Sequence, residues 1–156
     1  MTQNFADLLQ RYTQAGIDFS DLAWSIDEDQ YNTVTDADSW PAAFVIHHMA
    51  DADIHFASRY LHIIEGAKPT FQMFDEDIYP DRLDYAGRSA VSSLATFEGI
   101  HEGIEDILAN LPDEAWERTG IHPERGELTL LQVLEGACGH LEAHVAQLSD
   151  IAQALQ

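Results

Sequence analysis

Basic residues are scarce: the 156-residue chain holds 7 Lys plus Arg against 28 Asp plus Glu, a formal charge of −21 at pH 7. Affinity for nucleic acid is built from Lys and Arg displacing counterions from phosphate, so this balance argues against a nucleic-acid partner. Anionic lipid is repelled in the same way, and the charge speaks mainly of solubility. Cysteine is nearly absent, and its one copy, Cys138, has no partner for an intrachain disulfide. No stretch approaches the ~20 apolar residues that span a bilayer. The start, MTQNFADLLQRY, lacks the cationic opening and apolar run of a secretory signal. The expectation is a cytoplasmic protein without a membrane partner. Several chemical signatures are missing too: no GxxxxGK, no GxGxxG after a strand, no HExxH and no GxSxG. A di-iron carboxylate bundle needs ExxH pairs on two helices, and only Glu98 with His101 fits that spacing.

The chain does have apolar residues at 46% and aromatics at 10%, enough for a real core in a domain of this length. Their spacing is helical. Phe5, Leu8, Leu9, Tyr12, Ala15 and Phe19 recur mostly at steps of three and four, predicting a first helix from an N-cap at Thr2 to about Trp24. Gly16 weakens it. After the polar stretch SIDEDQYNTVTDADS, a second helix opens at Ser39-Trp40-Pro41, with proline at its first position. It ends at Gly66-Ala67-Lys68-Pro69, some 25 residues or about 37 Å of helix.

The segment PTFQMFDEDIYPDRLDYAGR is long for a connection and reads as a crossover or a lid. A third helix starts near Ser89 with Val91, Leu94, Phe97, Ile104, Ile107 and Leu108 inward, and stops at Leu111-Pro112. PDEAW adds a short helical turn and RTGIHPERGEL a loop. The last helix runs from Thr129 along the seam Leu131, Leu134, Cys138, Leu141, Val145, Leu148, Ala152 and Leu155. Alternating steps of three and four mark a bundle seam. The fold expected is all-α, a four-helix bundle forming one domain over residues 1–156. Cys138 falls on that seam and reads as a small core residue.

Eight histidines outnumber the seven Lys plus Arg and are the main supply of nitrogen ligands. His140 and His144, four apart, share a helix face and can converge on one metal. Such a pair alone is more often two surface or half-buried histidines on an acidic protein. On the second helix His48, His55 and His62 repeat every seven residues, a stripe that climbs ~10.5 Å per step and so cannot form one site. Spacing does not tell which of them, or His47, joins His140 and His144. Asp51, a turn after His48, could orient a metal histidine or take a proton. Asp53 reads equally well as part of a solvated acidic face. His101 and His122 stand apart.

The segment Trp40-PAAFVI-His47-His48-MADAD, with Arg59 ahead, resembles the second helix of the DinB-like superfamily, whose metal-binding histidine lies eight residues after the tryptophan. That position is His48. The closing segment LPDEAWERTGIHPERGELTLLQVLEGACGHLEAHVAQLSDI resembles the family's G-H-x-x-x-H-x-x-Q ending, matching His140, His144 and Gln147. FDEDIYPDRLDYAGRS is similar to a connection found in one branch. The chain departs in carrying Ala143 where many relatives have histidine, and in placing Pro41 directly after Trp40.

The resemblance implies a four-helix bundle, homodimeric in many relatives, with His48, His140 and His144 holding a divalent ion. Zinc or nickel comes first, then iron or manganese. Relatives include transferases and isomerases that use low-molecular-weight thiols such as bacillithiol or mycothiol. Three imidazoles leave a coordination position open for a small-molecule substrate, a thiol or water, the arrangement of a catalytic site. The expectation is a metal-dependent thiol S-transferase or hydrolase, with Asp51 orienting His48 or accepting a proton, Arg59, Tyr79 and Tyr85 as substrate contacts, and 69–88 as lid. The competing reading is a stress-associated bundle that binds a metal or small ligand without turnover.

Overall fold

A computed structural model describes residues 3–37 and 39–156. Four long helices dominate: α1 Gln3–Ser25, α2 Ala42–Ile64, α4 Ala90–Ala109 and α5 Leu130–Ala154, with α3 (Tyr79–Arg82) a single turn inside the α2–α4 connection. The N-cap expected at Thr2 lies outside the described residues. The main packing runs α1 on α5, α5 on α2, α2 on α4 and α4 on α1. Helices adjacent in sequence, α1 with α2 and α4 with α5, therefore sit across the diagonals. That places the histidine-bearing stretch of α2 directly against α5.

Local signals set the helix ends. Pro41 is the N-cap of α2, one residue outside the helix, with an extended ψ of 162°. Gly66 takes a positive φ of 86° past its C-terminus, a conformation glycine adopts without steric cost. The Ser89 side chain accepts from Ser92 N at 3.2 Å to open α4. Thr129 and Gln132 form a reciprocal capping box on α5, satisfying two N–H groups that have no intrahelical partner. Each such cap contributes about 1 kcal/mol.

The core divides in two. One apolar cluster gathers Phe19, Ala23, Ala42, Val45, Ile46, Met49, Leu94, Phe97 and Leu148. The other gathers Phe5, Leu9, Tyr12, Tyr60, Ile63, Leu108, Trp116, Leu130 and Leu134. Along α2 the first cluster ends at Ala50 and the second begins at Phe56, with Asp51 and Asp53 between them. Cys138 is buried in the second cluster, as its place on the seam predicts. Ile107 is not inward: it remains 38% exposed, while Ile104 and Leu108 carry that face.

The PDEAW turn is present as a 3₁₀ segment, Asp113–Glu117. RTGIHPERGEL is not simply a loop. Thr119–His122 (β1) and Gly126–Thr129 (β2) pair antiparallel in a short hairpin, and Gly126 takes a φ of 78° at its turn. The start of the connection docks on it, with Phe71 N donating to Ile121 O at 2.8 Å and Ile121 N to Pro69 O at 2.7 Å. No described helix is long and apolar enough to cross a membrane.

Candidate metal centre

His48 comes from the middle of α2, and His140 and His144 from successive turns of α5. Packing of the two helices brings their Nε2 atoms together. His48 Nε2 lies 3.0 Å from His140 Nε2, which lies 3.1 Å from His144 Nε2. Among the described residues these three form the group whose ligand atoms all fall within 4.8 Å of one another. Two nitrogens at ~2.0–2.1 Å from one tetrahedral ion stand about 3.4 Å apart, so the donor set fits a divalent ion with little movement.

The protonation pattern fits too. His144 Nδ1 lies 2.8 Å from the Gln147 amide oxygen, which only accepts, so Nδ1 carries the proton and Nε2 presents a lone pair to the cluster. Burial holds the His48 imidazole down at about pKa 3, with His144 and His140 adding to the effect and Asp51 opposing it. Burial likewise lowers His140 to about 4, again helped by His144. Both rings are neutral at pH 7, the state that can ligate. His48 Nδ1 and His140 Nδ1 are buried without hydrogen-bond partners. Three imidazole nitrogens pressed together around one point is what a cation would reconcile.

Aromatic rings wall this cluster. The Trp40 ring centroid is 5.5 Å from that of His48, and Phe56 is 6.1 Å from His140. His47, next to His48, faces the other way, its Nδ1 2.8 Å from Ser93 Oγ on α4. It is buried, and burial followed by the Arg88 charge lowers its pKa to about 4. His55 and His62 stay with the connection and with Ser58, away from the cluster. The structure thus resolves the choice that spacing left open: His48 meets the α5 pair.

Asp51 is buried, but its contacts are not with His48. Arg88 donates to both of its oxygens, at 2.8 and 3.1 Å, and Tyr85 Oη donates at 2.8 Å. The orienting hydrogen bond expected between Asp51 and His48 is absent from these contacts. Tyr85, expected on the substrate side, is fully buried, and burial plus the Asp51 carboxylate push its pKa upward. Asp53 is not on a solvated face: it is 4% exposed, with Oδ2 3.3 Å from His101 Nδ1. Arg59 lies against Phe56, Phe71 and Phe74 and donates to Gln72 O at 3.1 Å. It therefore anchors the connection to α2.

The connection lies over α2. Phe74 stacks on His55 at 4.3 Å between centroids, and Tyr79 Oη is 2.9 Å from His55 Nε2. Between them Glu76 places Oε2 3.6 Å from His48 Nε2. Sequence reasoning missed Arg88 and Glu76. Arg88 was open to discovery, since a cation in so acidic a chain almost always has a partner. Glu76 stands in the run Asp75-Glu76-Asp77, and nothing in the sequence separates it from its neighbours.

A family model for the DinB superfamily matches residues 11–148. The chain belongs to the DinB superfamily. Among curated relatives, one from Oceanobacillus iheyensis named "Putative metal-dependent hydrolase OB0782" is 25% identical over 126 residues, covering 81% of this chain and 73% of that protein. "Putative metal-dependent hydrolase YfiT" of Bacillus subtilis is 24% identical over 130 residues, covering 81% and 71%. The solved structure of YfiT, described as an unusual four-helix bundle topology, superposes with a TM-score of 0.85 at 19% identity over 98% of this chain and 89% of that one. A mycothiol-dependent maleylpyruvate isomerase follows at a TM-score of 0.77, 11% identity, 97% of this chain and 65% of that one. At these identities the solved structures establish the four-helix bundle fold of this chain.

Proposed function

We propose that this protein is a metal-dependent enzyme, a hydrolase of small-molecule substrates, whose divalent ion is held by His48, His140 and His144. The observation that carries the reading is the meeting of three Nε2 atoms at 3.0 and 3.1 Å, with the His48 and His140 rings kept neutral by burial. Zinc or nickel suits an all-imidazole set best, ahead of iron or manganese. When bound, the ion supplies Lewis-acid chemistry, lowering the pKa of a ligand and polarising a substrate oxygen. The chain's own contribution is positional. Gln147 holds His144 in the ligating tautomer, Trp40 and Phe56 limit water, and helix packing fixes the separation of the rings. Asp51 acts through charge: clamped by Arg88 and Tyr85, its carboxylate sits close enough to favour positive charge at His48. Both Asp51 oxygens are engaged, so a positioning role suits it better than proton transfer.

A second reading, thiol-dependent transfer, draws support from the likeness in fold to the mycothiol-dependent isomerase. In that case the ion held by His48, His140 and His144 would activate a low-molecular-weight thiol in place of water. The deciding experiment begins with elemental analysis of tag-free protein beside His48→Ala, His140→Ala and His144→Ala. One divalent ion per chain is expected, lost from each variant while the helical circular-dichroism signal persists. The loaded protein is then offered ester and amide probes, and electrophiles with and without added thiol. Hydrolysis without thiol supports the first reading, and turnover only with thiol the second. No ion after reconstitution with zinc, nickel and manganese would sink both.

A further inference from the structure

A divalent ion among neutral imidazoles leaves two positive charges in a place where His48 is 1% exposed. Buried charge is tolerated when an opposite charge stands beside it. Three carboxylates are candidates. Asp51 acts at a distance but cannot ligate, because Arg88 and Tyr85 engage both of its oxygens. Glu142, between the two α5 histidines in sequence, is held by Arg11 on α1 through contacts of 2.8 to 3.1 Å. Glu76 is left, and among the described residues its ionic contact is with His48.

We infer that Glu76, carried on the α2–α4 connection, is a further ligand of the ion in the absence of substrate, yielding its position to a water or thiol; this rests on the reading of His48, His140 and His144 as its ligands. Its Oε2 approaches the nitrogen of His48 that faces the cluster, at 3.6 Å. Ligand atoms each ~2.0–2.2 Å from one ion stand roughly 3–3.5 Å apart, so Glu76 is near ligand distance of His48 but stands outside the three-nitrogen group, and its side chain must rotate inward to join it. The Glu76 side chain is 55% exposed, and that rotation disturbs no core packing.

The backbone beneath it is held in place. Phe74 stacks on His55 two residues before, and Tyr79 meets the same ring three residues after. His55 thus finds a role that its place in the seven-residue stripe did not reveal. It supports the segment that hangs Glu76 over His48, about 10.5 Å away along the helix.

The test uses full-length wild type, Glu76→Gln and Glu102→Gln, the last removing an equal charge from an exposed position on α4. Each is titrated with zinc against a chromophoric chelator, and the visible ligand-field spectrum is recorded with cobalt. Glu76→Gln should lose at least about tenfold in zinc affinity and shift the cobalt bands as a carboxylate leaves the ligand field. Glu102→Gln should keep the wild-type affinity and spectrum. Wild-type values for Glu76→Gln, with one ion still bound per wild-type chain, overturn this inference alone. Equal weakening in both variants also overturns it, assigning the effect to overall charge. Absence of an ion from wild type overturns the histidine reading and this one with it.

Discussion

Asp53 and His101 form a buried pair whose proton count can be worked out from their neighbours. His101 Nε2 is 3.2 Å from the Tyr12 carbonyl, which only accepts, so that nitrogen carries a hydrogen. One proton must then lie between His101 Nδ1 and Asp53 Oδ2, on one side or the other. Burial raises the Asp53 pKa from its ordinary 3.8, while His101 pulls it back. Asp53→Ala leaves the imidazole without a partner and should cost about 3–5 kcal/mol in urea unfolding. Asp53→Asn, whose amide can donate to Nδ1, should cost about 1 kcal/mol or less. The pH dependence has a definite sign. The unfolded chain ionises this carboxyl near 3.8 and the folded chain at higher pH, so the stability from the neutral form is complete below 3.8 and lost as pH rises through the folded value. The Asn variant should therefore gain on wild type as pH rises above the ordinary carboxylate range, and a difference that stays flat or shrinks would contradict the raised pKa. Gly16 belongs to the same cluster. Alanine there should add about 1 kcal/mol of helix propensity, but its Cβ would run into the His101 ring, so Gly16→Ala should lower the melting temperature. The sequence showed Gly16 as a weak point in a helix, and the ring packed against it is the reason for that glycine.

Among the elements, the α2–α4 connection shows the limits of reading from sequence. The four long helices were legible because three- and four-residue spacing persists over twenty or more positions and caps such as Thr129 and Ser89 mark their starts. The hairpin was not: strands of four residues carry too little alternation to register, and part of their stability comes from Phe71, some fifty residues away. His140 and His144 were legible as a pair through their spacing. The choice of His48 over His47 or His55 came with the family resemblance and needed helix packing to be seen directly. Asp51 was found in sequence but its partners were not, because Tyr85 and Arg88 lie more than thirty residues on and reach it only when the connection folds back. That clasp closes one end of the connection as the hairpin closes the other. Arg88→Ala should leave a buried carboxylate with Tyr85 alone, costing about 1–3 kcal/mol. It should also speed proteolytic cleavage within 70–88 ahead of the rest of the chain, a change read by limited digestion and mass spectrometry. Cleavage spread evenly over the chain would show that the clasp stabilises the bundle as a whole and not the connection.

At the scale of the whole molecule the charge of −21 sets the terms. Four of the seven cations are already committed: Arg11 to Glu142, Lys68 to Glu127, Arg88 to Asp51 and Arg59 to its aromatic neighbours. Most acidic side chains therefore face one another through solvent, and folding draws them closer than the unfolded chain does. Self-repulsion of that kind opposes the compact state. It is screened over about 30 Å at 0.01 M salt but only about 8 Å at 0.15 M. Raising sodium chloride across that interval, with a chelator present to exclude site-bound metal, should raise the melting temperature. Relief of about 1–2 kcal/mol corresponds to roughly 2–8 °C for a chain of this size. Surface ion pairs work against this, since the same salt weakens them, but exposed pairs contribute no more than about 1 kcal/mol each and only a few exist here. A melting temperature that falls with salt would mean those pairs outweigh the repulsion. The same field should act on metal capture. Zinc association should slow as salt rises, because an acidic surface concentrates cations around the cluster, whereas dissociation, set by the buried imidazoles, should change little.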